Sequence, residues 1–147
     1  KDAENPDVLV VGVGSMVGVA LDVAQTLESD GLAVQVVDPR WVFPVAPELV
    51  ELAARAKHVV VVEDNLVEAG VGSACARAFR EAGVAAGVDT YGIPKEFLLH
   101  ASRGEVLTEI GRAGLPGALG EHPYHRVSDC RRKRVPALAL QPDTLWR

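Results

Sequence analysis

The strongest constraint on the fold is the alternation of short, continuous apolar segments with amphipathic ones. Residues 8–11 and 59–62 contain only valine and one leucine, a composition typical of parallel strands buried on both faces of a sheet. Residues 32–37 and 88–93 have weaker strand patterns, and apolar residues recur at helical spacing between the strands. Strands that alternate with amphipathic helices predict right-handed crossovers and an α/β fold, a three-layer α/β/α sandwich with a mostly parallel sheet.

The expected helices have recognisable boundary residues. In chain order the predicted helix starts are Ser15, Pro47, Gly70 and Ser102, and the predicted helix ends are Gly31 and Gly83. Glu105 lies three residues after Ser102, so this pair predicts a capping box at the start of the last helix. We expect the segment Glu63-Asp64-Asn65 to be the polar exit of the third strand.

Composition and charge divide the chain into unlike parts. The 147 residues carry a net charge of −5 and are 48% hydrophobic, which is enough for one domain with a full core. Acidic residues outnumber basic ones up to Gly111, whereas basic residues and prolines are frequent afterwards and no periodicity is sustained. We therefore predict a linker at residues 1–6, a domain at 7–111, and an atypical basic, proline-rich tail at 112–147 that we expect to be disordered.

The same data exclude several classes of protein. No apolar run approaches the roughly 20 residues that cross a bilayer, and the N-terminus lacks the apolar segment of a secretory signal. Cys75 and Cys130 provide neither a disulfide framework nor a metal-binding spacing, and the histidines are scattered. We interpret the basic run at residues 131–134 as solvated. The expected protein is therefore cytoplasmic, contacts no membrane or nucleic acid, and holds no metal ion.

One loop resembles a nucleotide-binding motif. Gly12-Val13-Gly14-Ser15-Met16-Val17-Gly18 lies between the first strand and the first helix, and Asp38 ends the second strand, where a dinucleotide-binding fold places the acid that binds ribose. Val17 occupies the position at which that fingerprint needs its third glycine, and Gly18 comes one residue late. We therefore favour a structural role for these glycines and keep a small nucleotide-binding protein as an alternative.

Other candidate groups lack the partners that catalysis needs. Glu63 and Asp64 follow a buried strand without a nearby histidine, lysine or nucleophile, so we interpret them as a polar loop that contacts a neighbouring domain. Ser73 lacks the flanking glycine of a nucleophile elbow. Arg40 beside Trp41 is more typical of an interface anchor than of a catalytic group. The residues alone therefore indicate an α/β domain without an active site.

Four segments also occur in an order that matches a known family. They are residues 36–45, 60–65, 70–73 and 92–107. Together they resemble the C-terminal domain of 1-deoxy-D-xylulose-5-phosphate synthase, a transketolase-like thiamine diphosphate enzyme. The resemblance covers about Asp7 to Gly111, and Ala101 stands where the family usually has glycine. Residues 112–147 depart from the family, so we interpret them as either a frame-shifted read-through or a lineage-specific extension.

The resemblance implies a function that this chain would share with other domains. The family condenses pyruvate with glyceraldehyde 3-phosphate, with loss of carbon dioxide, on the route to isoprenoids and thiamine. The resemblance implies that preceding domains hold thiamine diphosphate and magnesium, and that no catalytic, cofactor-binding or metal-binding residue lies in this chain. The implied role is to pack on the preceding domain and to support a homodimer. The alternative is the C-terminal partner-binding domain of a 2-oxoacid dehydrogenase β subunit or of a transketolase.

Overall fold

The computed structural model describes residues 4–114, with the backbone alone at 108, 109 and 111–114. Most of the predicted tail, including Cys130 and the basic run at 131–134, therefore lies outside the described residues. The chain divides into one compact unit that extends to Lys95 and a second that begins at Glu96.

The first unit contains one four-stranded sheet. Its strands are β1 (Val8–Gly12), β2 (Val34–Val37), β3 (His58–Leu66) and β4 (Gly87–Ile93). Their order across the sheet is β2-β1-β3-β4, and every neighbouring pair is parallel. Val8, for example, pairs with Val34 on one side and with His58 on the other. The predicted parallel sheet is therefore confirmed.

Helices follow each strand. They are α1 (Val17–Ser29), α2 (Pro47–Arg55), α3 (Val71–Glu81) and α4 (Arg103–Gly114). In the second unit, the Ser102 hydroxyl and N–H both donate to a Glu105 carboxylate oxygen, at 2.6 and 2.9 Å, which confirms the capping box. Within residues 4–114, none of the helices combines the length and the apolar composition that a membrane crossing requires.

The core lies on both faces of the two central strands, because successive strand residues point to opposite faces. One face packs against α2 and α3, and its buried cluster consists of Leu9, Val11, Leu49, Ala53, Ala56, Val59, Val61, Cys75 and Phe79. The other face includes Val8, Val10, Val60 and Val62, which are also buried. Helix α1 packs along β1 and β2, and its buried stripe is Ala20, Val23, Ala24 and Leu27, which Met16 of the preceding turn extends. These contacts form the three predicted layers.

Helix α1 begins differently from the prediction. Ser15 is not its N-cap, because a short 3-10 turn, Gly14–Met16, precedes the helix. Met16 occupies the N-cap position, and no side-chain hydrogen bond caps the helix there. Gly14 has a φ of +59°, a conformation that glycine adopts without steric cost, and it turns the chain from β1 into this 3-10 segment. The Ser15 hydroxyl instead donates to Asp64 Oδ2 at 3.3 Å.

Polar side chains join the strands at the amino edge of the sheet. Asp7, just before β1, accepts a hydrogen bond from the Ala33 N–H at 2.9 Å and pairs with Lys57 Nζ at 2.6 Å. Buried His58 bonds through Nε2 to Asp89 Oδ2 at 2.8 Å, which links β3 to the edge strand β4. These contacts tie together strands that are distant in sequence.

The Asp7 contacts predict an acid-sensitive contribution to stability. The hydrogen bond from Lys57, together with the Ala33 N–H, lowers the pKa of the Asp7 carboxyl below its ordinary value of 3.8. The unfolded chain therefore binds this proton more tightly, so the stabilisation is present above pH 4 or so and is lost as the pH falls through the folded-state pKa. Because Lys57 is 74% exposed, we expect Asp7→Asn to cost only about 0.5 to 1 kcal/mol at pH 7.

Thermal unfolding of the parent chain and of Asp7→Asn between pH 7 and pH 3 checks this expectation. The difference between the two melting temperatures should shrink on acidification. A difference that grows as the pH falls would contradict the assigned direction of the pKa shift.

Candidate functional site at the carboxyl edge of the sheet

The carboxyl ends of β1 and β3 meet at the centre of the sheet. The chain leaves β1 towards β2 on one side, and returns across β1 to form β3 on the other. In open α/β sheets this switch point is where ligands commonly bind. The structure places the Gly12 to Gly18 loop and the Glu63-Asp64 pair here, so the two strongest sequence candidates lie at one edge.

The glycine loop has structural contacts that account for its first glycine. A Cβ at Gly12 would lie 2.8 Å from Ala20 Cβ and 2.9 Å from Val17 Cα, so glycine is needed for α1 to pack closely on β1. Gly18, by contrast, has no heavy atom within 4 Å of the position of a Cβ. The late third glycine therefore performs no close-packing role of the kind that a dinucleotide fingerprint requires.

Asp38 also has a local partner. Its Oδ1 accepts a hydrogen bond from the Arg40 N–H at 2.9 Å, an arrangement that stabilises the turn after β2. Arg40 adopts a φ of +53°, which is uncommon for a residue with a side chain. The carboxylate proposed as a ribose ligand therefore serves the conformation of the loop that carries Trp41.

The structure corrects the interpretation of Glu63 as part of a polar loop. Glu63 lies within β3 and has no exposed surface. Its Oε2 accepts the Val71 N–H at 2.7 Å, and its Oε1 accepts the Gly72 N–H at 2.9 Å. These are the first N–H groups of α3, so a buried carboxylate completes the helix N-terminus and also interacts favourably with the helix dipole.

Glycines make room for this carboxylate. A Cβ at Gly70 would overlap the Glu63 carboxylate and the Leu66 carbonyl oxygen. A Cβ at Gly92, on β4, would lie 2.7 Å from the Asn65 carbonyl oxygen and 3.0 Å from Glu63 Cγ. The sequence signal for this arrangement is an acid at a strand end followed by Gly-x-Gly at the start of the next helix. Glu63 is therefore a buried structural group.

The nucleophilic side chains near α3 are also engaged or buried. The Ser73 hydroxyl donates to the Val67 carbonyl oxygen at 2.9 Å. Cys75 is buried in the core, where desolvation, followed by the negative charge of Glu63, raises the pKa of its thiol to about 11. Among residues 4–114, no group of three His, Cys, Asp or Glu side chains is arranged to hold a metal ion.

The raised pKa predicts that Cys75 does not react in the folded domain. At pH 8 only about one thiol in a thousand would be ionised, because the pKa lies three units higher. In a Cys130→Ser variant, which leaves Cys75 as the single thiol, we expect no reaction with an aromatic disulfide reagent until denaturant is added. Rapid stoichiometric labelling of the folded variant would show that this helix face opens to solvent.

Comparison with known proteins identifies relatives of this fold. Residues 1–113 match the model of the family described as "Transketolase, C-terminal domain". The chain is 55% identical over 109 residues to 1-deoxy-D-xylulose-5-phosphate synthase 1 of Kitasatospora griseola, a match that covers 74% of this chain and 17% of the relative. It is 50% identical over 106 residues to the 1-deoxy-D-xylulose-5-phosphate synthase of Mycobacterium avium (strain 104), covering 72% and 16%.

A solved structure shares the same architecture. It is described as "Split gene transketolase, inactive beta4 tetramer", and it is 32% identical with a TM-score of 0.66. That match covers 74% of this chain and 35% of the other chain. The present chain thus spans only a small part of the length of its curated relatives. From the family match over most of its length, the chain belongs to the transketolase C-terminal domain family.

Proposed function

We propose that this chain acts as the C-terminal domain of a 1-deoxy-D-xylulose-5-phosphate synthase, a cytoplasmic transferase that condenses pyruvate with glyceraldehyde 3-phosphate and releases carbon dioxide. The observation that carries this proposal is the identity of 55% over 109 residues with a synthase of that name. The identity to the split-gene transketolase is lower, at 32%. The comparison therefore favours a synthase over a transketolase, one of the two alternatives that the sequence left open.

Within such an enzyme, the proposed role of this chain is interdomain packing and support of a homodimer. Thiamine diphosphate and magnesium would be held by the other domains, and this chain would contribute no catalytic or cofactor-binding residue. The contacts at the carboxyl edge support the assignment of cofactor binding and catalysis to the other domains. Glu63, Asp38 and Ser73, which could otherwise serve as acids, bases or nucleophiles, each hold a helix start or a loop in place.

A domain exchange tests the proposed function. The matching segment of the Kitasatospora griseola synthase would be replaced by residues 7–111 of this chain, and carbon dioxide release from pyruvate would be measured with and without glyceraldehyde 3-phosphate. We expect the chimera to remain active. The matched control replaces the same segment with that of the split-gene transketolase, for which we expect loss of activity. A dimeric chimera that binds the cofactor but lacks activity would contradict the assignment.

The non-catalytic role has its own test, which uses this chain alone. Calorimetric titration with thiamine diphosphate and magnesium should release no saturable heat. Binding in the micromolar range, about −8 kcal/mol, would show that the chain contributes to the cofactor site after all.

A further inference from the structure

The first unit exposes two aromatic side chains in one loop. Trp41 is 69% exposed and Phe43 is 66% exposed, and both follow β2 at the carboxyl edge of the sheet. Leu66, which ends β3 at the same edge, is 46% exposed. Tryptophan and phenylalanine bury about 150 to 250 Å² each when they are covered, so leaving both in water is unfavourable. Exposed apolar side chains that lie close together are typical of interaction surfaces, and Trp41 and Phe43 are separated by a single residue.

The loop that carries the two rings is held in a defined conformation. The Asp38 carboxylate fixes the Arg40 N–H, and the Trp41 N–H donates to the Pro39 carbonyl oxygen. After Phe43, Val45 packs against the buried cluster on the α2 and α3 face. A loop anchored at both ends loses little conformational entropy when a partner covers it, which favours binding.

We propose that Trp41 and Phe43 form the docking surface through which this domain binds another domain of the synthase polypeptide. This inference rests on the proposed function. It commits to that occupant because the chain corresponds to only 17% of the length of a synthase relative, and the matching family is a C-terminal domain, so most of the polypeptide precedes this surface. Tryptophan and arginine are both enriched among the few residues that carry most of the binding energy of an interface, and Arg40 directly precedes Trp41.

Hydrogen exchange in the active chimera tests this surface directly. The backbone amides of residues 40–43, 45 and 46 would be compared between the chimera and the 147-residue chain alone. We expect exchange in the chimera to be slower by about 30-fold or more, the factor that corresponds to one strong interface anchor. Equal exchange in the two proteins would overturn the proposal. Protection that appears in the chain alone as its concentration rises would instead assign the surface to a second copy, and would also overturn it.

Substitution separates docking from folding. In the chimera, a Trp41→Ser, Phe43→Ser double variant should lose the protection of residues 40–46 and should become more sensitive to protease between its domains. The control is Leu21→Ser, which replaces a 47% exposed apolar residue on α1, outside the loop, and should behave like the parent. If the double variant of the chain alone melts at a lower temperature, Trp41→Ser alone is used. If the folded double variant keeps the protection of residues 40–46, the docking proposal is wrong. If the unsubstituted chimera has no activity, the proposed function is wrong, and this outcome is separate from the exchange result.

Discussion

Replacing Glu63 with alanine should destabilise the domain by about 3 to 5 kcal/mol, because the buried N–H of Gly72 and the part-buried N–H of Val71 lose their acceptors and a cavity remains. For a domain of about 100 residues this corresponds to a fall in melting temperature of roughly 15 °C or more. Thermal unfolding followed by circular dichroism measures it. The effect is large since Glu63 is completely buried, so water cannot replace the missing carboxylate.

Two further variants identify the origin of that loss. Glu68→Ala removes a carboxylate from the loop after β3, but its ion pair with Lys95 is exposed, so we expect a change below about 1 kcal/mol. Glu63→Gln keeps the shape and one acceptor oxygen, so its cost should lie between the two. If Glu63→Ala unfolds at the temperature of Glu68→Ala, the cap on α3 contributes little and the role assigned to Glu63 is wrong.

Val61→Asp should unfold the domain. Val61 has no exposed surface, lies in β3 and packs in the cluster between the sheet and the helices α2 and α3. An unpaired carboxylate at this position costs several kcal/mol, against a total stability of roughly 5 to 15 kcal/mol for a domain of this size. Circular dichroism should report loss of the folded state at 25 °C.

The matched control for this variant is Leu66→Asp, which introduces the same side chain into the same strand. Leu66 is 46% exposed, so its replacement should leave the domain folded with a small change in melting temperature. Val61→Asp that melts like Leu66→Asp would mean that the centre of β3 tolerates a charge, in conflict with the core described above.

Most of the fold could be predicted because buried positions are occupied by apolar residues at regular spacing in the sequence. The valine runs of β1 and β3 and the helical spacing of α1 are patterns among residues a few positions apart in sequence. The structure confirms these elements. Ser102 and Glu105 likewise form their capping box from residues three positions apart. The exact start of helix α1 was harder to predict, since the helix follows Gly14 and a 3-10 turn without a side-chain cap.

The carboxyl edge was less predictable because its polar groups are satisfied over longer distances. Glu63 looks like a loop residue from its neighbours, and only the approach of the α3 N-terminus and of Gly92 on β4 makes a buried carboxylate favourable. Asp38 similarly matches the position of a ribose ligand, but its partner is the Arg40 N–H two residues later. Residue type and spacing therefore identify the residues at this edge of the sheet, whereas the hydrogen-bond partners of each polar group can be identified only from the folded structure.

The position of β1 at the centre of the sheet determines the order in which the domain can assemble. Although β1 is the first strand in sequence, its second neighbour is β3, and Val8 pairs with His58. During synthesis, the edge of β1 that pairs with β3 would therefore stay unpaired, and the apolar side chains of β1 would stay partly uncovered, until β3 has left the ribosome. Such sequence-distant parallel pairing slows folding relative to helical domains. We therefore expect nascent chains that end before β3 to need protection from aggregation, although the completed domain has a continuous core.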